Sequence, residues 1–179
     1  MNRSRLPRRA VLGVAALAGL AGAGLSWWRW QELQQAERAT GEAVTLFYQQ
    51  ILPDSEGRVF KFDQLRNQQV VVNFWATWCA PCIEEMPELS ALATELQPSG
   101  TRFLGVGVDN QDAIARFSRR VPVSYPLVVA NATGAFLAAK FGNIAGGLPY
   151  TVVIDPAGRV KTKILGRVNV DSLRKVLKS

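Results

Sequence analysis

The chain has two cysteines, and two residues separate them in Trp78-Cys79-Ala80-Pro81-Cys82. Before them runs an apolar stretch, Val70-Val71-Val72-Asn73-Phe74-Trp75, that reads as a buried strand; after them Ile83-Glu84-Glu85-Met86-Pro87-Glu88-Leu89 reads as helix. A strand that delivers Cys-x-x-Cys to a helix start points to thiol–disulfide exchange. The spacing lets both sulfurs meet across one helical turn, to close as a disulfide or open as a dithiol. The first sulfur sits beside unpaired N–H groups and the positive end of the helix dipole, which favour thiolate over thiol. Thiolate is the attacking species, so Cys79 is the expected nucleophile and Cys82, one turn in and more covered, the resolving thiol. Pro81 lacks an N–H and suits an early helix position, and Trp78 is placed to shield one side of the pair.

Other uses of the pair fit less well. A zinc site takes four ligands, and the chain has no histidine and no third cysteine. No metal and no cofactor are expected. A structural disulfide usually closes a longer loop, because short loops remove less unfolded-chain entropy.

The length of 179 residues suits one domain with an N-terminal extension, and 48% hydrophobic content permits a full core. With two cysteines, packing rather than disulfides must hold the fold. The net charge of +7 is unevenly spread: residues 1–30 hold Arg3, Arg5, Arg8, Arg9 and Arg29 without an acid, leaving 16 basic and 14 acidic residues elsewhere. That distribution argues against a nucleic-acid partner, and Arg119-Arg120 reads as a solvated helix face. After the basic start, Ala10 to Leu25 is uncharged and apolar, and Ser26-Trp27-Trp28-Arg29-Trp30 closes the segment. Residues 1–30 are a cleaved signal, with Ala21-Gly22-Ala23 as a cleavage site, or a retained membrane anchor. Arg8-Arg9-Ala10-Val11-Leu12 resembles a twin-arginine signal core. The apolar length through Trp28 favours the anchor, with tryptophans at the far interface and arginines cytoplasmic. Both readings put the rest of the chain outside the cytoplasm, facing the periplasm of a bacterial envelope. Residues 31–42 read as a polar linker and 43–179 as the folded domain.

Within that domain, Val44–Tyr48 reads as an edge strand, Arg58–Phe62 as a half-buried strand, and Asp63 as the cap of a turn through Leu65. Val70–Trp75 is a central strand, and a helix from Ala80 to Leu96 is expected to kink at Pro87. Strand Phe103–Val108, helix Gln111–Arg120, the extended Leu127–Val129 and helix Thr133–Phe141 follow. Strands Tyr150–Ile154 and Val160–Leu165 flank the turn Asp155-Pro156-Ala157-Gly158, and Val170–Leu177 is a last amphipathic helix. Parallel strands joined by helices, then an antiparallel pair, make an α/β fold with a central mixed sheet flanked by helices.

From Val44 to Ser179 the chain resembles the thioredoxin-like family of extracytoplasmic thiol–disulfide proteins, in its TlpA/ResA-like branch. The resemblance rests on Val71 to Pro87, around Trp-Cys-Ala-Pro-Cys, and on Gly147-Leu148-Pro149-Tyr150-Thr151 through Val160. It implies a thioredoxin fold with an N-terminal strand extension and a strand–helix insert before Pro149. It also implies a cis bond at Pro149, presenting the backbone of Leu148 to an extended peptide, so that Trp78, Leu148 and Pro149 contact substrate. Glu85, three residues after Cys82, matches an acid that handles protons for the sulfurs. Asn73 departs from the buried aspartate of cytosolic thioredoxins; asparagine cannot carry a proton, which shifts that task toward Glu85.

Three functions compete. A disulfide reductase would be kept reduced by a thiol-type membrane electron donor and act on protein disulfides of the envelope; the family's typical clients are apocytochrome c and the copper-site cysteines of oxidases. An oxidase would donate its disulfide instead. A copper-delivery module would use two thiolates for Cu(I), against which stand the missing histidines and the single internal methionine, Met86. A peroxiredoxin would need threonine where Ala76 stands.

Overall fold

Helix α1 runs from Arg8 to Tyr48 in the structure, a computed structural model that describes the backbone of residues 8–178 and the side chains of residues 25–178. The expected basic start at Arg3 and Arg5 lies outside the described residues, as do the side chains of the expected apolar stretch up to residue 24. Among the described residues no helix is long and apolar enough to cross a membrane. The chain divides into two compact units, Met1–Ala39 and Thr40–Ser179. In the first, Trp27, Trp28 and Trp30 are exposed, and the Trp27 and Trp30 rings lie 6.2 Å apart.

The second unit begins with a correction. Val44–Tyr48 is not an edge strand but the end of α1. The reason is in the spacing: Ala43, Val44, Phe47 and Tyr48 recur at one and four residues, so they form one helical stripe, and all four are buried. Phe47 packs edge-on against Phe62 at 4.9 Å and near Phe141 at 6.2 Å. The N-terminal strand extension is instead a hairpin, β1 (Ile51–Pro53) with β2 (Val59–Lys61), closed by Asp54-Ser55-Glu56-Gly57-Arg58. A 3-10 turn, Phe62–Leu65, follows; Lys61 caps it and no side chain does, so Asp63 lies inside the turn rather than before it.

The main sheet has the order β5-β4-β3-β6-β7. Its strands are β3 (Gln69–Trp75), β4 (Thr101–Gly107), β5 (Leu127–Val129), β6 (Tyr150–Ile154) and β7 (Val160–Leu165). β3–β4 and β4–β5 are parallel; β3–β6 and β6–β7 are antiparallel. Helices α2 (Ala80–Leu96), α3 (Gln111–Arg120), α4 (Asn131–Lys140) and α5 (Val170–Lys178) complete the unit. α2 continues through Pro87, and Asn110 caps α3 by accepting the Ala113 N–H at 2.9 Å.

Alternation along β3 splits the core. Val71 and Trp75 face the layer built by α2, α3 and α5, with Met86, Leu89, Ile114, Phe117 and Leu173. Val70, Val72 and Phe74 face the layer built by α4 and the end of α1, with Leu137, Phe47 and Phe141. Asn73 has the parity of the first set, and a polar side chain is thus sent beneath α2. Phe47→Ala is expected to destabilise the fold by about 3–5 kcal/mol, read from denaturant unfolding, because a buried aromatic leaves a cavity. A cost below about 1 kcal/mol would contradict the packing of α1 against this layer.

Candidate active site

Chain direction brings the cysteines to the sheet's edge of departure. β3 ends at Trp75, and Val108 N–H donates to the Trp75 carbonyl at 2.7 Å, fixing where the chain leaves the sheet. Cys79 N–H then donates to Ala76 O at 3.2 Å, which turns the chain so that Cys79 becomes the N-cap of α2. Its carbonyl accepts from Cys82 N–H at 3.1 Å and Ile83 N–H at 3.2 Å, closing the first turn. Cys79 and Cys82 are joined by a disulfide with their Cα atoms 5.3 Å apart. The two sulfur residues differ in cover: Cys79 is 6% exposed and Cys82 fully buried. Pro81 occupies the first turn, where its missing N–H costs nothing. Trp78 stands 69% exposed beside them.

The loop carrying Cys79 is braced from outside α2. Thr77 Oγ1 donates a short hydrogen bond to Asp109 Oδ2, and Asp109 Oδ1 accepts from Asn110 N–H at 2.8 Å. The β4–α3 connection thereby holds the residue two before the nucleophile candidate.

Pro149 lies at the same end of the sheet. Phe74 pairs with Tyr150 across β3 and β6, so the residue before Tyr150 falls opposite the point where β3 runs out toward Cys79. The Leu148–Pro149 bond is cis. Pro149 O accepts from Gly166 N–H at 2.8 Å, while Leu148 precedes the β6 ladder. The approach to Leu148 is held by Asn143, whose amide makes a reciprocal pair with the Gly147 backbone: Nδ2 donates to Gly147 O at 2.8 Å and Oδ1 accepts from Gly147 N–H at 3.1 Å. Tyr150 OH donates to Phe141 O at 2.9 Å. A Cβ at Gly147 would stand 2.9 Å from Leu165 Cδ1, so the segment passes against the Leu165 side chain of β7. Nothing in the sequence pattern marks Asn143.

Glu85 sits one turn below Cys82 on the inward face of α2 and is fully buried. Oε1 accepts from Asn73 Nδ2 at 2.8 Å, and Oε2 accepts from Val168 N–H at 2.8 Å. Asn73 Nδ2 also donates to Thr151 Oγ1 at 3.0 Å. Burial pushes the Glu85 carboxyl above the ordinary glutamate range; the Val168 N–H, the Asn73 amide and the Arg167 charge pull against that rise, and Glu88 adds to it. Arg167 is shared at the surface with Glu84 at 3.2 Å and Glu88 at 3.6 Å, which are exposed. Among the described residues, three buried side-chain atoms have no partner: Asn73 Oδ1, Trp75 Nε1 and the Tyr125 hydroxyl. Burial and the Glu85 charge both push the Tyr125 hydroxyl upward. Sequence reasoning found Asn73 and Glu85 separately but not their contact. Thr151, Val168 and Tyr125 carry no pattern that announces them. Among the described residues no group of three or more His, Cys, Asp or Glu is placed to hold a metal ion.

The arrangement is that of a thiol–disulfide exchange site, and known proteins agree. The AhpC/TSA family matches residues 41–163. The chain is 33% identical over 130 residues to the thiol-disulfide oxidoreductase ResA of Geobacillus thermodenitrificans (strain NG80-2), covering 72% of each. It is 30% identical over 130 residues to the ResA of Geobacillus kaustophilus (strain HTA426), again 72% of each. The crystal structure of a secreted thiol-disulfide isomerase from Corynebacterium glutamicum superposes with a TM-score of 0.63 at 27% identity, over 71% of this chain and 80% of that one.

The raised Glu85 carboxyl has a consequence for stability. Between the unperturbed value of 4.5 and its raised folded value, the native state holds more protons than the unfolded chain. Stability then falls as pH rises through that window. Glu85→Gln carries no such loss. The variant is expected to melt above the wild type at neutral pH, with the gain vanishing below the ordinary glutamate range. A gain or loss independent of pH, in thermal melts from acid to neutral, would contradict this.

Proposed function

Because this chain belongs to the AhpC/TSA family and is a thiol–disulfide oxidoreductase, we propose that it works as a protein-disulfide reductase through Cys79 attack and Cys82 resolution. The observation that carries the reading is the asymmetry of the pair: Cys79 at the helix N-cap with its edge open, Cys82 closed over, and a carboxyl one turn beneath it. In the reduced protein, Cys79 thiolate attacks one sulfur of a substrate disulfide. The substrate S–S bond breaks, a mixed disulfide forms on Cys79, and the first substrate thiolate leaves and takes a proton. Cys82 then loses its proton to the Glu85 carboxylate and attacks the Cys79 sulfur. The second substrate thiolate leaves, and the Cys79–Cys82 bond forms. Two electrons have passed to the substrate, and a second dithiol must return them. A thiol-type donor at the membrane fits that need. Trp78, Leu148 and Pro149 flank the path of an extended peptide toward Cys79, and the exposure of Trp78 supports a contact role.

Residues 1–30 serve as a signal or membrane anchor, residues 31–42 as a linker and 43–179 as the catalytic domain, facing the periplasm. The arginine-led apolar leader supports this, as does the secreted character of the Corynebacterium glutamicum protein. Substrates are protein disulfides of the envelope, cysteines of cytochrome c or copper-site maturation among them.

Cys82→Ala is expected to accumulate a mixed disulfide with a disulfide-containing peptide, seen by mass spectrometry as an adduct on Cys79, while Cys79→Ala forms none. Adducts on Cys82 in the Cys79→Ala protein at the same rate would reverse the roles. A redox midpoint near the thioredoxin end of the range, about −270 mV, is expected; one near about −120 mV would make the chain a disulfide donor.

A further inference from the structure

The buried Asn73 amide is turned in one way, and its partners explain why the opposite turn is also usable. Both Nδ2 protons are committed, one to Glu85 Oε1 at 2.8 Å and one to Thr151 Oγ1 at 3.0 Å, while Oδ1 is buried without a partner. An unmet buried acceptor is costly, so this orientation is held by what the donors gain. An ionised carboxylate accepts only, and it requires the amide's N–H side. On the other oxygen, Oε2, the Val168 backbone N–H donates at 2.8 Å. A backbone N–H can never accept, so a proton on Oε2 could not be donated along that contact, whereas a proton on Oε1 faces a group with an acceptor oxygen.

We propose that Asn73 is an amide rotor for Glu85: it donates through Nδ2 to the ionised carboxylate and, turned by a half rotation about its last side-chain bond, accepts through Oδ1 from the protonated acid. The terminal torsion of asparagine has two broad, nearly equivalent settings, which such a turn exchanges. Thr151 makes the exchange even. Its hydroxyl accepts from Nδ2 in the first setting and donates to Oδ1 in the second. Two hydrogen bonds are made in each setting; Oδ1 is unmet in the first and the two Nδ2 protons in the second. Glu85 thus keeps its Asn73 hydrogen bond whether it holds a proton or not. Aspartate at 73 would not do this, since it would add a second titrating carboxyl, and leucine would supply neither donor nor acceptor. Asn73 is therefore a positioning residue acting through Glu85.

The other groups that face Glu85 do not duplicate the rotor. From α2 comes Glu88, with Cys82 one turn away along the helix, from the α5 approach Arg167 and the Val168 N–H, and from the segment before β5 the Tyr125 hydroxyl. Arg167 and Glu88 act through their charges, and Arg167 is engaged with Glu84 and Glu88 at the surface. Tyr125 is raised by burial and keeps its proton where Glu85 titrates.

The inference rests on the reading that Glu85 carries a proton for the sulfurs, and one titration separates the two. In the full-length, isotope-labelled oxidised protein, NMR follows the Glu85 carboxyl carbon and the Asn73 side-chain NH2 against pH. Both are expected to shift with one midpoint, the Asn73 protons moving upfield and exchanging faster as Glu85 protonates. Asn73 signals that stay fixed while Glu85 titrates overturn the rotor. Coincident midpoints, with a thiol-exchange rate in the reduced protein that ignores Glu85→Gln, keep the rotor and overturn the proton-carrying role. In Asn73→Leu both bonds are lost, and the charge-assisted one to the carboxylate outweighs the neutral one from the acid, so Glu85 is expected to bind its proton about tenfold more tightly; an unchanged midpoint contradicts the proposal. The wild-type titration stands even if that variant does not fold.

Discussion

A carboxyl group without water must receive its hydrogen bonds from the protein, and the fold around Glu85 is arranged to supply them. One oxygen is met by a side chain from the central strand, the other by a backbone N–H just before the last helix. Three segments, the last of them 83 residues beyond Glu85, must therefore arrive in fixed register: β3 at Asn73, α2 at Glu85 and the β7–α5 connection at Val168. An error of one residue in β3 would turn Asn73 away and leave a buried acid without its side-chain donor, at a cost of several kcal/mol. The same register sets the sulfurs, because Cys79 follows four residues after the end of β3 and Cys82 lies one helical turn above Glu85. Position of the disulfide and position of the acid are one constraint.

The remaining parts of the site hang from the sheet in the same manner. β6 pairs antiparallel with β3, so its first residue, Tyr150, is fixed against Phe74, and cis-Pro149 must lie near the cysteine loop. Asn143 and Tyr150 then fasten the preceding segment to its own backbone. Two hairpin turns share one device. Asp54-Ser55-Glu56-Gly57-Arg58 and Asp155-Pro156-Ala157-Gly158-Arg159 each have an aspartate whose carboxylate accepts from the backbone N–H and the Nε of the arginine four residues on, with glycine at φ +82° and +79°. The first turn closes the small hairpin, and the second joins β6 to β7.

Much of this was legible in the residues. The helix opening at Ala80 and ending at Leu96, the α3 span Gln111–Arg120 and the strands Tyr150–Ile154 and Val160–Leu165 stand where pattern reading puts them, since caps, prolines and turn residues mark their ends. Val44–Tyr48 was misread because five apolar-rich residues fit a strand as well as a helix end; the deciding stripe begins at Ala43, outside that window. Asp63 was misread because its capping character is real, but the chain enters the turn one residue earlier. The residues mark Asp155-Pro156-Ala157-Gly158 as a turn, while its likeness to Asp54-Ser55-Glu56-Gly57-Arg58 emerges only in the structure. Glu85 and Asn73 were each visible as polar residues in apolar settings, while the bond between them depends on tertiary register that no local window contains. Asn143 and Val168 act through backbone contacts, which residue type does not reveal.

The central claim is that the buried carboxyl takes the proton that frees Cys82. It is tested most directly by single-turnover kinetics of the resolving step. A mixed disulfide is preformed on Cys79, and its release is followed by the fluorescence of the nearby tryptophans across the acid to neutral range, in wild type and in Glu85→Gln. The wild-type rate is expected to climb as Glu85 ionises, and the variant to be slowed by about 10²-fold or more where the carboxylate would act. Equal rates and parallel pH profiles in the two proteins would contradict it.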